Sequence, residues 1–288
     1  MATEINNTEI TSNDLYQKIY QEIVAEDVFL PVLPEVAISM RRALNNPDVT
    51  INRLAEEIKK DQAVSAKLIQ VANSAYYARA VPVDTIAGAV SRLGLFTTYN
   101  LAMAITASNL FHTNSDYIKE KMEQTHTQSV QTSSLSHAIA GKLSGIDPEK
   151  ALLHGLFANI GEIPVLVYSN ENPELFASDE ELDDTTRNLR GPLGEWILGS
   201  WQFEPDFIET VRELNQLDRK IEKVNYSAVT SAAILLNRSI FESELDIQQY
   251  AIIQHLKEAG VDLTNHYFIQ EVSDDVADLE LVLSGKSI

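Results

Sequence analysis

Any metal chemistry in this chain must come from histidines and carboxylates, because its 288 residues include six histidines and no cysteine. Without thiols there are no disulfides, no thiol nucleophiles and no cysteine-ligated metals, which leaves His, Asp and Glu as the usual metal ligands. The histidines do not fall at ligand spacing. His126 and His137 are eleven residues apart, on one face of a helix but about 16 Å apart along it, too far for one metal. His112, His255 and His266 have no partner at ligand spacing, and structural or surface roles are expected for them. A glycine-rich phosphate loop, a G-x-S-x-G elbow and an H-E-x-x-H pair are all missing.

Two groups of residues could bind rather than react. Asn73-Ser74-Ala75-Tyr76-Tyr77 closes an amphipathic segment. Asn and Ser bond nearby backbone at helix ends, so one reading is a helix stop with two packed tyrosine rings. The other is a contact surface, since tyrosine offers rigid area at low entropic cost. Arg92 lies beside a helix end at Gly94. Its guanidinium can bond carbonyls or pair with Asp61, tying two helices together, or it can bind the anionic group of a phosphorylated small molecule.

The elements that would position these residues read as helices. Ile51, Leu54, Ala55 and Ile58 fall on one helical face, and so do Val64, Leu68 and Val71, then Ile86, Ala89, Val90 and Leu93. The pattern returns at 152–160, 207–214 and 229–236. Thr50 and Asp61 can cap the helices after them, and Gly94 suits a left-handed helix end. Pro164 is expected to break or kink the helix entering from Leu152. One short run, Ile163 to Tyr168, looks strand-like. Residues 170–190 hold seven acidic residues and Pro173, and read as a loop or partly ordered insert. A boundary is expected near Asn114–Asp116. It divides the chain into a lead-in helix (1–24), a first helical group (25–115), a second (116–270) and an acidic tail (271–288).

The charge is lopsided. Forty-two acidic residues face twenty-two basic ones, for a net charge of −20. Such a field repels phosphate backbones and anionic lipid heads. The helices at 51–60 and 63–73 could pass for a helix-turn-helix, but the second brings only Lys67 as a base, so nucleic acid is not expected as a partner. No run of eighteen apolar residues occurs and the first fourteen residues do not form a secretory leader, so no membrane association is expected and the expected location is cytoplasmic.

Several segments in order resemble the HDOD family, relatives of the HD-domain metal-dependent phosphohydrolases. They are Leu30-Pro31-Val32-Leu33-Pro34; Leu54-Ala55 with Ile58 and Asp61; Val71 to Tyr77; Ala89-Val90-Ser91-Arg92-Leu93-Gly94; and Gly155-Leu156-Phe157-Ala158-Asn159-Ile160-Gly161. The resemblance implies an all-α, multi-helix fold of two packed helical sub-bundles and a bacterial signalling or regulatory role. It also locates what is missing. The family's paired His-Asp aligns with Ala158-Asn159. The histidine that opens the second half aligns near Gln128, with His126 two residues off. A later histidine pair aligns with Glu213, Leu214 and Asn215, after Trp201 and Pro205. An alanine ligates nothing and an asparagine lacks the carboxylate's charge. Ala158 and Asn159 therefore read as a vestigial position, with His154 a turn earlier as a residue that could line its cavity. The reading is a non-catalytic regulatory domain with no cofactor, acting on a protein partner or small ligand through Asn73, Ser74, Tyr76, Tyr77 and Arg92. A metal phosphohydrolase with relocated ligands and a DNA-binding regulator are the alternatives.

Overall fold

The structure, a computed structural model, describes residues 14–26, 31–74, 76–77, 81–242 and 244–284. Leu30 of the first motif, Ala75 of the tyrosine motif, residues 1–13 of the lead-in and 285–288 of the tail lie outside them. The described chain is all-α. Its helices are α1 (Asp14–Glu26), α2 (Glu35–Leu44), α3 (Ile51–Ile58), α4 (Gln62–Ala72), α5 (Ile86–Leu93), α6 (Leu95–Ser108) and α7 (Lys119–Ala140), then α8 (Pro148–Phe157), α9 (Glu162–Glu171), α10 (Asp179–Ser200), α11 (Pro205–Glu213), α12 (Tyr226–Phe241), α13 (Ala251–Glu258) and α14 (His266–Ser284). No strand occurs among the described residues.

Local signals open the early helices where the apolar pattern begins. Thr50 Oγ1 accepts from the Arg53 amide at 3.2 Å, and Asp61 Oδ1 accepts from the Val64 amide at 3.0 Å. Each satisfies one of the donors that a helix start leaves bare. Gly94, at φ 86°, turns the chain from α5 into α6 with a backbone that a side chain would strain.

The long helix α7 organises the C-terminal half. It packs most extensively on α8, and also on α12 and α14. Its buried face is built largely from Thr125, Ser129, Thr132, Ser133, Ser134 and Ser136 rather than from large apolar groups. Small residues let α8 approach to backbone contact. A Cβ on Gly155 would lie 2.5 Å from Ser133 Cα and 2.7 Å from the Thr132 carbonyl oxygen. Ser133 Oγ completes the seam by donating to the Leu152 carbonyl at 2.7 Å.

The apolar core does not divide at 115. One cluster runs from Ile19 through Met103, Phe157 and Leu198 to Leu214, crossing the expected boundary. A second gathers Leu135, Ile139, Ala232, Leu236, Ile253 and Leu256 around the C-terminal half of α7.

The structure differs from three local expectations. The strand-like run Ile163–Tyr168 is helical and belongs to α9, where it is buried nearly all round, so no amphipathic stripe survives to reveal the period. Pro164 does not break the incoming helix. The chain turns earlier, over 158–161, and Pro164 sits in the first turn of α9, where a missing N–H costs little. The acidic segment 170–190 is helical from Asp179 onward, with Leu182, Thr185, Thr186 and Leu189 buried. The described part of the acidic tail, 271–284, belongs to α14, which docks against α7 and buries Val272, Leu279, Val282 and Leu283. The stretch 148–171 is apolar and long enough to cross a membrane by composition, but its most apolar part is almost wholly buried inside the fold and the stretch is broken between α8 and α9.

Candidate functional site

Two glycines of the segment Gly155–Gly161 set the site's frame. Gly155 admits α7. Gly161 faces α10 so closely that a Cβ there would collide with the Arg190 carbonyl oxygen and lie 2.5 Å from the Gly194 amide nitrogen. Between these two contacts lie Ala158 and Asn159, both buried. The glycines thus hold the turn against the middle of α10 and bring Arg190 to it.

Two of the positions that the resemblance aligns with metal ligands, Asn159 and Asn215, both face Arg190, and a third, Gln128, lines the same cleft as Asn159. Asn159 Nδ2 donates to Ser129 Oγ at 3.1 Å, and Asn159 Oδ1 faces Arg190 Nη1 at 3.5 Å. Asn215 Oδ1 accepts from Arg190 Nε at 3.1 Å. Gln128, Asn159 and Arg190 share one cleft of about 1050 Å³, between α7, α9, α10 and α12. A guanidinium therefore stands between two residues that the resemblance aligns with ligand positions. Glu162 is its nearest carboxylate, 3.8 Å from Nη1, and accepts from Thr125 Oγ1 at 2.9 Å. Burial raises the Glu162 carboxyl above its ordinary range, with Arg190 opposing. Burial likewise lowers Arg190, with Glu162 opposing. For both groups desolvation outweighs the pair's attraction.

This donor set does not fit a catalytic metal. Alanine offers nothing and the asparagine amides are neutral. A divalent ion about 4 Å from the guanidinium would meet roughly 8 kcal/mol of repulsion at an effective dielectric of about 20. Among the described residues, no group of three or more His, Asp or Glu is placed to hold a metal. Sequence reasoning does not single out Arg190 or Glu162. The usable signal is Ser178 with Glu181, a helix-start pattern, since Ser178 Oγ accepts from the Glu181 amide at 3.2 Å. It puts Arg190 about three turns into a helix.

The histidines lie elsewhere. His154 does not line the cleft. It is fully buried and stacks between Phe207 and Tyr226 at 3.8 and 4.5 Å, and its Nδ1 bonds Thr210 Oγ1 at 2.8 Å. Burial, with the Lys150 charge adding to it, holds this imidazole well below its ordinary pKa. His126 faces a separate hollow beside Phe111 and His112, with Nε2 on Ser108 Oγ at 2.5 Å.

The tyrosine motif and Arg92 are spent largely on the protein itself. Asn73 pairs with the Val83 backbone in both directions, donating to its carbonyl at 2.7 Å and accepting from its amide at 2.9 Å. Arg92 donates to the Ala72 carbonyl at 2.7 Å, to Asn73 Oδ1 at 3.0 Å and to the Val81 carbonyl. The expected Asp61 pairing is not among these bonds; Asp61 caps α4 instead. Tyr77 Oη donates to Glu149 Oε1 at 2.8 Å, and His137 Nε2 lies 3.4 Å away. Burial raises the Tyr77 phenol far above its ordinary range, and the Glu149 charge adds to the shift. Burial would raise Glu149, but the His137 ring 3.9 Å away and the hydrogen bond from Tyr77 outweigh it and hold the carboxyl below its ordinary range. Ser74 is half-buried, and Tyr76, 43% exposed, packs edge-on against Tyr77 and His137.

Fold and cleft together define an all-α domain of the HD-related kind, with an arginine and neutral amides at its cleft. A family model, the HDOD domain, matches residues 30–217, and the chain belongs to that family. It is similar to a solved structure from Shewanella amazonensis SB2B named "Putative metal-dependent phosphohydrolase", at 29% identity and a TM-score of 0.79, covering 92% of this chain and 98% of that one. A second, an HDOD domain protein with unknown function from Geobacter sulfurreducens, has the same fold at 16% identity and a TM-score of 0.67, covering 96% and 97%. A third, from Marinobacter aquaeolei VT8, is named "Putative signal transduction protein". It shares the fold at 18% identity and a TM-score of 0.62, covering 96% of this chain and 68% of that one. An uncharacterized protein of Treponema pallidum is 24% identical over 224 residues, 73% of this chain, and the match spans 42% of that relative's length.

Proposed function

We propose that this chain is a non-catalytic regulatory module that works by binding a small ligand or a protein partner. The observation that carries the reading is the Arg190 guanidinium, in contact with Asn159 and Asn215 where a hydrolase would hold its metal. A fixed cation there opposes a metal, and without one no water is activated and no phosphate charge is offset. The signalling name of the Marinobacter relative agrees with this reading. The phosphohydrolase name of the Shewanella relative is the competing one.

Metal analysis and phosphodiesterase assays with manganese, iron and magnesium test it. Protein purified without added metal is expected to hold no stoichiometric metal and to show no turnover. Ala158→His combined with Asn159→Asp is expected to leave both results unchanged, since Gln128 and Asn215 remain and Arg190 still holds the centre. One transition metal per chain, lost together with an activity on chelation, would overturn the reading.

A further inference from the structure

The Arg190 cleft offers more than a plug for a lost metal site. A guanidinium carries five N–H donors in a planar fork. Arg190 places Nε on Asn215 at 3.1 Å, a sound hydrogen bond. Its two terminal nitrogens fare worse. Nη1 reaches Asn159 Oδ1 and Nη2 reaches the Leu214 carbonyl, each at 3.5 Å, the outer limit of a hydrogen bond. Glu162 comes no nearer than 3.8 Å, with its other oxygen already held by Thr125. The side chain is nonetheless only 16% exposed. A cation that is largely desolvated and has donors to spare is a costly group to leave unsatisfied.

The rim differs from the floor. Arg187 is paired with Asp184, Arg238 grips Glu242 through two nitrogens at 3.0 and 2.9 Å, and Lys121 is paired with Asp183. These cations are neutralised by acids beside them. The walls add amides that can give or take hydrogen bonds, including Gln128 and the Asn237–Gln131 pair joined at 3.2 Å. At the lip, Phe241 is 73% exposed.

We infer that the cleft binds a small oxyanion, a carboxylate or a phosphate, on Nη1 and Nη2 of Arg190, with the wall amides taking the rest of the ligand. This rests on the regulatory reading and names its ligand class. Both anions offer paired oxygens that match the guanidinium fork, and charge-assisted bonds of this kind are the strong ones. The burial that pushes the Glu162 carboxyl toward its neutral form reduces the competition from inside the site. The net charge of −20 opposes every anion at long range, so the attraction must come locally from the Arg190 fork at the cleft floor.

The test uses chelator-treated full-length chain, titrated at constant ionic strength with inorganic phosphate in one arm, succinate in a second and chloride in a third. Saturable, one-to-one uptake of phosphate or succinate, but not of chloride, is expected by calorimetry. Phosphate alone points to phosphorylated ligands and succinate alone to carboxylates; either supports the inference. Arg190→Met is expected to weaken the uptake about tenfold or more. Should that variant fail to fold, Asn159→Asp sets a carboxylate against Nη1 from within and is expected to weaken uptake by a similar factor with an unchanged helical spectrum. No saturation by either oxyanion, equal uptake of chloride, or uptake unaffected in both variants would overturn the inference. Metal analysis and the activity assay on the same protein before chelator treatment keep the two readings apart. Stoichiometric metal with activity sinks the regulatory reading whatever the anions do, and failed anion uptake sinks this one whatever the metal content.

Discussion

Arg92 and Arg190 are both arginines at the meeting point of two segments, and they are used in opposite ways. Arg92 sits in a stretch that matches family motifs and gives its donors to the Ala72 and Val81 carbonyls and to Asn73. Arg190 matches no motif, makes one good bond, and keeps its terminal nitrogens on long contacts above an open cleft. The family-like residue is a clamp, and the one outside every motif faces the cleft that Gln128 and Asn159 line. Survival of a motif in one sequence therefore marks where packing demands a residue type. It says less about where a ligand sits.

The largest expected effect tests the frame that presents Arg190. Gly161→Ala must push α9 away from the Arg190 carbonyl and the Gly194 amide, both of which are backbone and cannot swing aside. Overpacking of this kind is expected to cost about 3 kcal/mol or more, read as a lowered urea midpoint. A midpoint within roughly 0.5 kcal/mol of wild type would mean that the approach is not a constraint.

Next comes the contrast itself. Arg92→Met leaves two carbonyls short of charge-assisted donors and is expected to cost about 2 kcal/mol. Arg190→Met is expected to cost less stability than Arg92→Met, because its bonds are longer and its partner Glu162 can take up a proton. The reverse order in matched melts would break the comparison.

The tyrosines sharpen it further. Tyr77→Phe removes the donor to the buried Glu149 and is expected to cost about 1–2 kcal/mol. Tyr76→Ala, at a half-exposed ring, is expected to cost about 1 kcal/mol or less. Any large loss of partner capture in the Tyr76 variant would then report a contact and not an unfolded chain.

The smallest effect is a slope. His154 is held well below its ordinary pKa by burial, so the unfolded chain takes up a proton near pH 6.5 that the folded chain refuses. Its contribution to stability is whole above that pH and is lost as pH falls below it, at up to about 1.4 kcal/mol per unit. His154→Phe keeps a flat ring between Phe207 and Tyr226 and is expected to flatten the decline between about pH 7 and about pH 5.5 by roughly 1 kcal/mol. An unchanged slope would show that the imidazole takes its proton while folded.

Helices with one apolar face and a good cap, such as α3 and α4, could be read from sequence because Thr50, Asp61 and the stripes behind them are local features. At Ala158 and Asn159 the residue types alone show that neither offers a carboxylate or an imidazole. Three things could not be read. α7 hides much of its buried face in serine and threonine, whose size matters only because α8 is close. α9 is buried nearly all round and has no period to show. Arg190 becomes a site residue only through α10's approach to the turn at Gly161, a contact between residues 29 positions apart.

The seam between α7 and α8 also fixes how the molecule can move. Backbone meets backbone at Gly155 and Ser133, and the next residues along α8 are too large to take the glycine's place. The two helices cannot creep past each other. A displacement would have to clear the notch entirely, by a helical turn of about 5.4 Å, so the pair behaves as a toothed rack with one engaged position. Slow hydrogen exchange is expected to appear across α7 and α8 as a single unit, with the cleft floor at Asn159 carried on the rack as a rigid platform.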